Sequence, residues 1–503
     1  MQKKGRIALL GKSYIMVVVG ILLAKGLGFF RDMVFAGAFG TGTEADIYSQ
    51  VFGLVNLIFT GIGVALSTLV IKNLNKAENA GKEKAYAASF LRKSIFWLTL
   101  ASVGVAVLAK PIVNLILPDL KAEEFGLAVK MMYLMAPSLI FVVVAYIVSG
   151  LLQNKQVYFI TSIMSLPFNV LIISSLLFKN VDIMTVALVT TIGWFLHIAI
   201  QLPAFYKKGY SFFEKKDKSL IAKDKSPEIL WIFISNMMFQ LCVYIDRAFV
   251  GDAATFNYAS NLFITISSVF VVAMSTVVFP SISKNYEEGQ IEYVNELVQY
   301  IITIMVAIFL PFLLVVGFFG EDVIRLVYER GAFDAEATKA VSKMFFIYSL
   351  GVLGYVSQEL FNKILYLAGK YKYTVIGTVA VVVSNVALNS GIGNFRGFDV
   401  SVLTAASTSV LLTVYAVAIA IGIKKVIGPY LKKGLLTDIG KIFLSGIAAT
   451  LVYVVFNTFL KEFTHGYITF LVPLIVCGIT YGAMLFVTGM LKRLMKRERE
   501  DVK

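Results

Sequence analysis

Several charged side chains stand inside otherwise apolar stretches of this sequence: Lys25, then Arg31-Asp32; Asp246-Arg247; and Glu359 with Lys363. A charge at such a depth costs about 2.5–3.5 kcal/mol on insertion scales unless it is paired or meets water, so each is a candidate for function. Guanidinium and ammonium groups can replace water around phosphate oxygens, and the arginine fork does so bidentately. Lys25, Arg31 and Arg247, with Asp32 beside them, therefore suit a cleft for an anionic phosphate or diphosphate group. The competing reading lets Arg31 and Arg247 extend to lipid headgroups, which Lys25 lies too deep to do easily. Glu359 and Lys363, four residues apart, read as a structural pair on one helix face.

A second cluster is rich in oxygen. Asn385 and Asn389 share a helix face, and Asp246 and Thr404 supply a carboxylate and a hydroxyl. That donor set suits a hard monovalent cation such as sodium; the alternative is ordinary hydrogen bonding between helices. Two isolated histidines, His197 and His465, and two cysteines in apolar runs, Cys242 and Cys477, offer no catalytic triad or zinc site. A transporter rather than an enzyme is expected, with no cofactor beyond sodium as a candidate coupling ion.

The elements that position these residues follow from composition. Of 503 residues 58% are apolar and 15% charged, and the mean hydropathy is +0.80, which excludes an ordinary soluble enzyme. At about 20 residues per span the apolar content provides for about 14 transmembrane helices. Apolar windows place them near 13–36, 46–71, 89–117, 126–152, 156–178, 181–205, 227–250, 254–280, 293–318, 340–368, 371–391, 398–423, 437–460 and 466–491. The longest outer loop is then about 319–339. With the N-terminus in the cytoplasm, inside segments hold 32 Lys/Arg and outside loops 7, the asymmetry expected of cytoplasmic N- and C-termini. Most of the net charge of +15 is thereby assigned to topology and to anionic lipids at the cytoplasmic face, and nucleic acid is not an expected partner.

Ala65-Leu66-Ser67-Thr68-Leu69-Val70 recurs as Ala273-Met274-Ser275-Thr276-Val277-Val278, and Lys155 and Asn169 are echoed by Lys370 and Asn385. Similar offsets imply a duplicated six-helix unit, and an even span count relates the copies by a pseudo-two-fold along the membrane normal. The expected organisation is an N-lobe over 1–210 (helices 1–6), a basic cytoplasmic linker over 211–226, a C-lobe over 227–425 (helices 7–12), and helices 13–14 with a basic tail over 426–503. Gly26, Gly28, Gly37, Gly40 and Gly42 flank Arg31, and allow either bending of helix 1 or close helix packing.

Three stretches carry a family resemblance: Leu27-Gly28-Phe29-Phe30-Arg31-Asp32 with Ala38-Phe39-Gly40 and Ala45-Asp46; Asp246-Arg247 with Ala273-Met274-Ser275-Thr276 and Pro280-Ser281; and Tyr328-Glu329-Arg330-Gly331-Ala332-Phe333-Asp334. They resemble the MurJ family of lipid II flippases, in the multidrug/oligosaccharidyl-lipid/polysaccharide exporter superfamily. The resemblance implies a multi-pass protein of the bacterial cytoplasmic membrane. It would move an undecaprenyl-diphosphate-linked peptidoglycan precursor from the inner to the outer leaflet by alternating access, alongside the cell-wall synthesis machinery. It adds Asp46, the acid opening helix 2, to the substrate-site candidates Lys25, Arg31, Asp32 and Arg247, and places a sodium site at Asp246, Asn385, Asn389 and Thr404. The family's arginines in helices 2 and 8 are missing from Gly53–Thr60 and from Ala259-Ser260-Asn261. This leaves a flippase for another polyprenyl-linked oligosaccharide as an alternative. A multidrug or cation antiporter is disfavoured by the basic cleft.

Overall fold

The computed structural model describes residues 2–79, 82–118, 120–178, 181–214, 231, 234–235, 237–250, 252–273, 279–392, 399–430, 434–461 and 468–491. Helices account for nearly all of them, and the one β-bridge among the described residues, Arg330 with Phe333, closes a turn. An apolar solvent demands this, because backbone amides left unpaired in hydrocarbon cost several kcal/mol each. The expected all-α membrane fold is observed. Nine described helices are long and apolar enough to cross a membrane, and a bent pair makes a tenth, against the 14 expected. Residues 274–278 of the internal echo, 215–226 of the basic linker and the tail 492–503 lie outside the described residues.

The first half comprises α1 (Gln2–Phe39), α2 (Thr43–Asn79), α3 (Glu83–Val107), α4 (Ala109–Ile116), α5 (Ala122–Met135), α6 (Ser138–Asn154), α7 (Phe159–Ser162), α8 (Leu166–Leu176), α9 (Ile183–Ala199) and α10 (Leu202–Lys207). Then come α11 (Met238–Val250), α12 (Ala253–Ala273), α13 (Phe279–Glu287), α14 (Ile291–Tyr328), α15 (Ala335–Leu350), α16 (Val352–Leu367), α17 (Tyr371–Ile392), α18 (Val400–Ile427), α19 (Leu435–Lys461) and α20 (Ile468–Val487).

Several apolar windows that read as single spans are broken. The 89–117 window divides at Leu108, and the 126–152 window divides beside Pro137, whose ring removes an amide donor. The 340–368 window bends by 43° between α15 and α16. In the opposite sense, the expected outer loop 319–339 is largely helix. α14 passes Pro311, kinks at Phe319 (φ −133°, ψ 21°) and continues to Tyr328. Arg325 holds it there, 2.8 Å from Asp322 and 3.3 Å from Glu329, one turn to either side, where opposite charges support a helix.

The described residues separate into two compact units, one built from positions up to Asn261 together with Arg330–Ala337, the other from Leu262–Glu329 and from Thr338 onward. In the first, α2 lies along α6, and α1 packs on α8. In the second, α16 lies on α18. The missing side chain of Gly354 makes that possible, since a Cβ there would sit 2.9 Å from the Thr413 backbone. Phe319, Ala449, Tyr453 and Cys477 form a further core where α14, α19 and α20 meet. Val107, Leu115, Leu177 and Phe178 are each more than 70% exposed, which is stable when the surroundings are acyl chains rather than water.

Candidate functional site

Arg31 lies near the end of α1, and four neighbours in the first unit surround its guanidinium. Its Nε and Nη2 donate to Asp32 Oδ1 at 3.0 and 2.6 Å. Nη1 donates to Asn169 Oδ1 of α8 at 3.2 Å. The Phe52 and Phe168 ring centroids, from α2 and α8, lie 5.4 and 5.5 Å from the guanidinium carbon, within cation–π range. The Arg31 side chain is only 15% exposed, so protein groups hold it in this structure.

Asp32 makes a second link. Its Oδ2 accepts from Asn261 Nδ2 of α12 at 3.3 Å. Ser260, the preceding residue, accepts at 3.1 Å from Nη2 of Arg247, which projects from α11. Consecutive residues of α12 thus contact both basic-acidic segments. Arg247 is 7% exposed and lies over Gly53 of α2, where a Cβ would come within 2.9 Å of its Nη1. The missing side chain of Gly53 makes room for the arginine of α11. Asp246 is fully buried beside it.

The other sequence candidates take separate positions. Lys25 is half-buried on α1, six residues before Arg31, and makes no hydrogen bond or ion pair among the described residues. Beside it, Val19, Leu22, Leu23, Leu27 and Phe30 of α1 with Leu166 border an open apolar groove of about 510 Å³. Asp46, in the first turn of α2, accepts from the Ala254 amide at 2.6 Å; it satisfies one of the orphan donors at the start of α12. Glu359 and Lys363 stand one turn apart on α16 with their charges close enough to interact, and Lys363 Nζ lies 5.8 Å from the Phe279 ring centroid.

Three members of the oxygen-rich cluster belong to the second unit, whereas Asp246 belongs to the first. Asn385 Nδ2 donates to Ser407 Oγ at 3.2 Å and to Thr408 Oγ1 at 2.9 Å, and Ser407 Oγ donates to Asn389 Oδ1 at 2.8 Å. These bonds tie α17 to α18. Thr404 Oγ1 is buried without a partner among the described residues. The asparagine bonds engage both amides in a tie between two helices, the arrangement expected as the alternative to a cation site. Among the described residues no group of three or more His, Cys, Asp or Glu is arranged to hold a metal.

Sequence reasoning missed Phe52, Phe168, Asn169, Ser260 and Asn261 as partners of the charged residues. Asn169 carried a signal, through its echo in Asn385. Both are buried asparagines bonded to a second helix of their own unit. Two phenylalanines among 40 carried none.

The fold has counterparts among solved structures. The architecture matches a solved structure described as a lipid II flippase MurJ in an inward closed conformation, with a TM-score of 0.77 at 21% identity over 94% of this chain and 99% of that one. An inward-facing multidrug-resistance MATE transporter of the MOP superfamily follows at TM-score 0.63 and 13% identity, covering 83% of this chain and 98% of its own. Among curated relatives, a probable lipid II flippase MurJ of Rhizobium tropici is 24% identical over 75% of this chain and 74% of its own. The lipid II flippase MurJ of Burkholderia cenocepacia is 23% identical over 67% and 69%. The family model described as lipid II flippase MurJ matches residues 35–478, and the chain therefore belongs to the MurJ family.

Proposed function

We propose that this protein is a flippase that moves lipid II, an undecaprenyl-diphosphate-linked peptidoglycan precursor, from the inner to the outer leaflet of the bacterial cytoplasmic membrane by alternating access. The observation that carries the reading, beside family membership, is the preorganised Arg31 guanidinium, largely withdrawn from solvent and fastened to Asp32 and Asn169. A diphosphate leaving water needs such a partner, because desolvated phosphate oxygens require charged donors. Arg247 brings a second buried guanidinium to the same unit through the Ser260–Asn261 step of α12. Cytoplasmic termini are part of the proposal, supported by the Lys/Arg asymmetry between alternate loops.

The test is support of growth in a bacterium depleted of its own flippase, with surface lipid II measured by leaflet-restricted labelling. Wild type should restore both; Arg31→Ala should insert normally and restore neither. A second reading, a different polyprenyl-diphosphate saccharide, is favoured by the stretches Gly53–Thr60 and Ala259-Ser260-Asn261, where the family resemblance leads one to expect arginines. Mass spectrometry of lipids copurified with the protein separates the two.

A further inference from the structure

The Arg31 guanidinium rests on an aromatic ladder that crosses four helices of the first unit. Phe35 of α1 stacks on Tyr48 of α2 at 4.8 Å, and Tyr48 stacks on Phe52 at 5.5 Å with the rings 3° from parallel. Phe52 faces Phe168 of α8 at 6.4 Å and 18°, and Phe168 contacts Trp194 of α9 at 4.8 Å. The Tyr48 hydroxyl is fixed by Thr190 of α9 at 2.8 Å. Behind Phe168 stands Gly193, where a Cβ would come within 2.7 Å of the ring. The ring therefore has its position set from two sides, by Trp194 and by the bare backbone of α9.

Asp32 and Asn169 accept from the N–H groups of the guanidinium, whereas its central carbon lies over the Phe52 and Phe168 rings. These contacts draw on different physics. Edge contacts are hydrogen bonds that an incoming anion can exchange, one oxygen for another. Ring contacts arise from the aromatic quadrupole and leave the donor N–H groups untouched. We infer that Phe52 and Phe168 are positioning residues that keep Arg31 at one location while its edge partners change from Asp32 and Asn169 to the cargo diphosphate. Holding a long side chain before the ligand arrives removes the ordering cost from the binding step. The inference rests on the reading of Arg31 as the diphosphate-binding group.

The experiment measures binding of undecaprenyl diphosphate to the purified full-length protein in detergent by native mass spectrometry. Arg31→Ala should lose binding, and Phe52→Leu and Phe168→Leu should each weaken it by about five- to thirty-fold. A purely structural role for the rings is separated by installing mono-, di- and trifluorophenylalanine at position 168. Fluorine withdraws ring electron density at nearly constant shape, so affinity should fall stepwise while the thermal midpoint stays unchanged. A flat series in the wild-type background, with Arg31→Ala still defective, overturns the positioning role. Wild-type affinity in Arg31→Ala overturns the site reading itself.

Discussion

The Ala332 amide donates to the Gly37 carbonyl at 2.8 Å, joining the turn before α15 to α1 of the first unit across nearly three hundred positions of sequence. Around this bond, Gly40 and Gly331 both adopt φ of +58°, the left-handed region that glycine enters at no steric cost. Neither position tolerates a side chain: a Cβ on Gly40 would lie 2.4 Å from the Ala332 carbonyl oxygen, and one on Gly331 would lie 2.1 Å from that of Gly37. Tyr258 completes the junction, donating to the Gly40 carbonyl at 2.8 Å and packing edge-on against Phe333 at 5.5 Å.

Gly331→Ala and Gly40→Ala should each destabilise the protein. The left-handed backbone alone costs about 1–2 kcal/mol for a residue with a Cβ, and the backbone clash adds to it. Gly26→Ala is the control, since nothing lies within 4 Å of its would-be Cβ. Thermal unfolding in detergent should show lowered midpoints for the first two variants and a midpoint at or above wild type for the control.

Arg31→Lys should be nearly as defective as Arg31→Ala in growth support. A lysine ammonium cannot donate to Asp32 and Asn169 in the planar fork that the guanidinium provides. Lys25→Ala, which breaks no hydrogen bond or ion pair among the described residues, should leave folding intact and still abolish growth support. Full complementation by a Lys25/Arg31/Arg247 triple alanine variant would refute the role of these cations.

Asp46→Ala should lower stability by about 1 kcal/mol, the usual worth of a helix cap, because it orphans the Ala254 amide at the start of α12. Asp46→Asn keeps an acceptor oxygen and should recover most of the loss. If Asp46 instead served the cargo through its charge, Asp46→Asn would fold normally and fail to support growth.

A pH effect is expected at Asp399. It caps α18 by accepting from the Ser401 and Val402 amides, and Lys343 lies 2.5 Å from its carboxylate. The hydrogen bond from Lys343, with those from the two amides, holds the Asp399 carboxyl below its ordinary range. Its contribution is therefore fully present above a pH of about 4, where an unfolded aspartate is ionised, and is lost as pH falls through the lower folded value. Asp399→Asn should be less stable than wild type at neutral pH, and the gap should close in acid, as measured by thermal unfolding between pH 7 and 3. Both side chains are about half exposed, so high salt should also narrow the gap.

Much was legible along the chain because hydrophobic length is a local property. Apolar windows anticipated the helical class and, among the described residues, nine or ten of the fourteen expected spans, and charges inside apolar windows singled out Arg31, Asp32 and Arg247 without any knowledge of partners. Helix breaks at Leu108 and beside Pro137 were not legible, since both windows remain apolar across the break. Residues 319–328 read as a loop because the apolar run ends, whereas the i, i+3 and i, i+4 pairs of Arg325 extend the helix. Asp46 and Glu359 illustrate the division further. Glu359 and Lys363 stand one turn apart on one helix, a relation spacing alone reveals, whereas Asp46 meets the Ala254 amide 208 positions away.

By itself, the order of residues determined the solvent, the helical class and the few charges that hydrocarbon would not accept unaided. Only the tertiary structure decided which of those charges share partners, that Phe52 and Phe168 support Arg31, and that the turn at Gly331 docks on α1. Solvent preference and helical period are summed over neighbouring residues, whereas a cation–π contact or a glycine-to-glycine approach depends on distances of a few ångströms between segments that only the folded chain brings together.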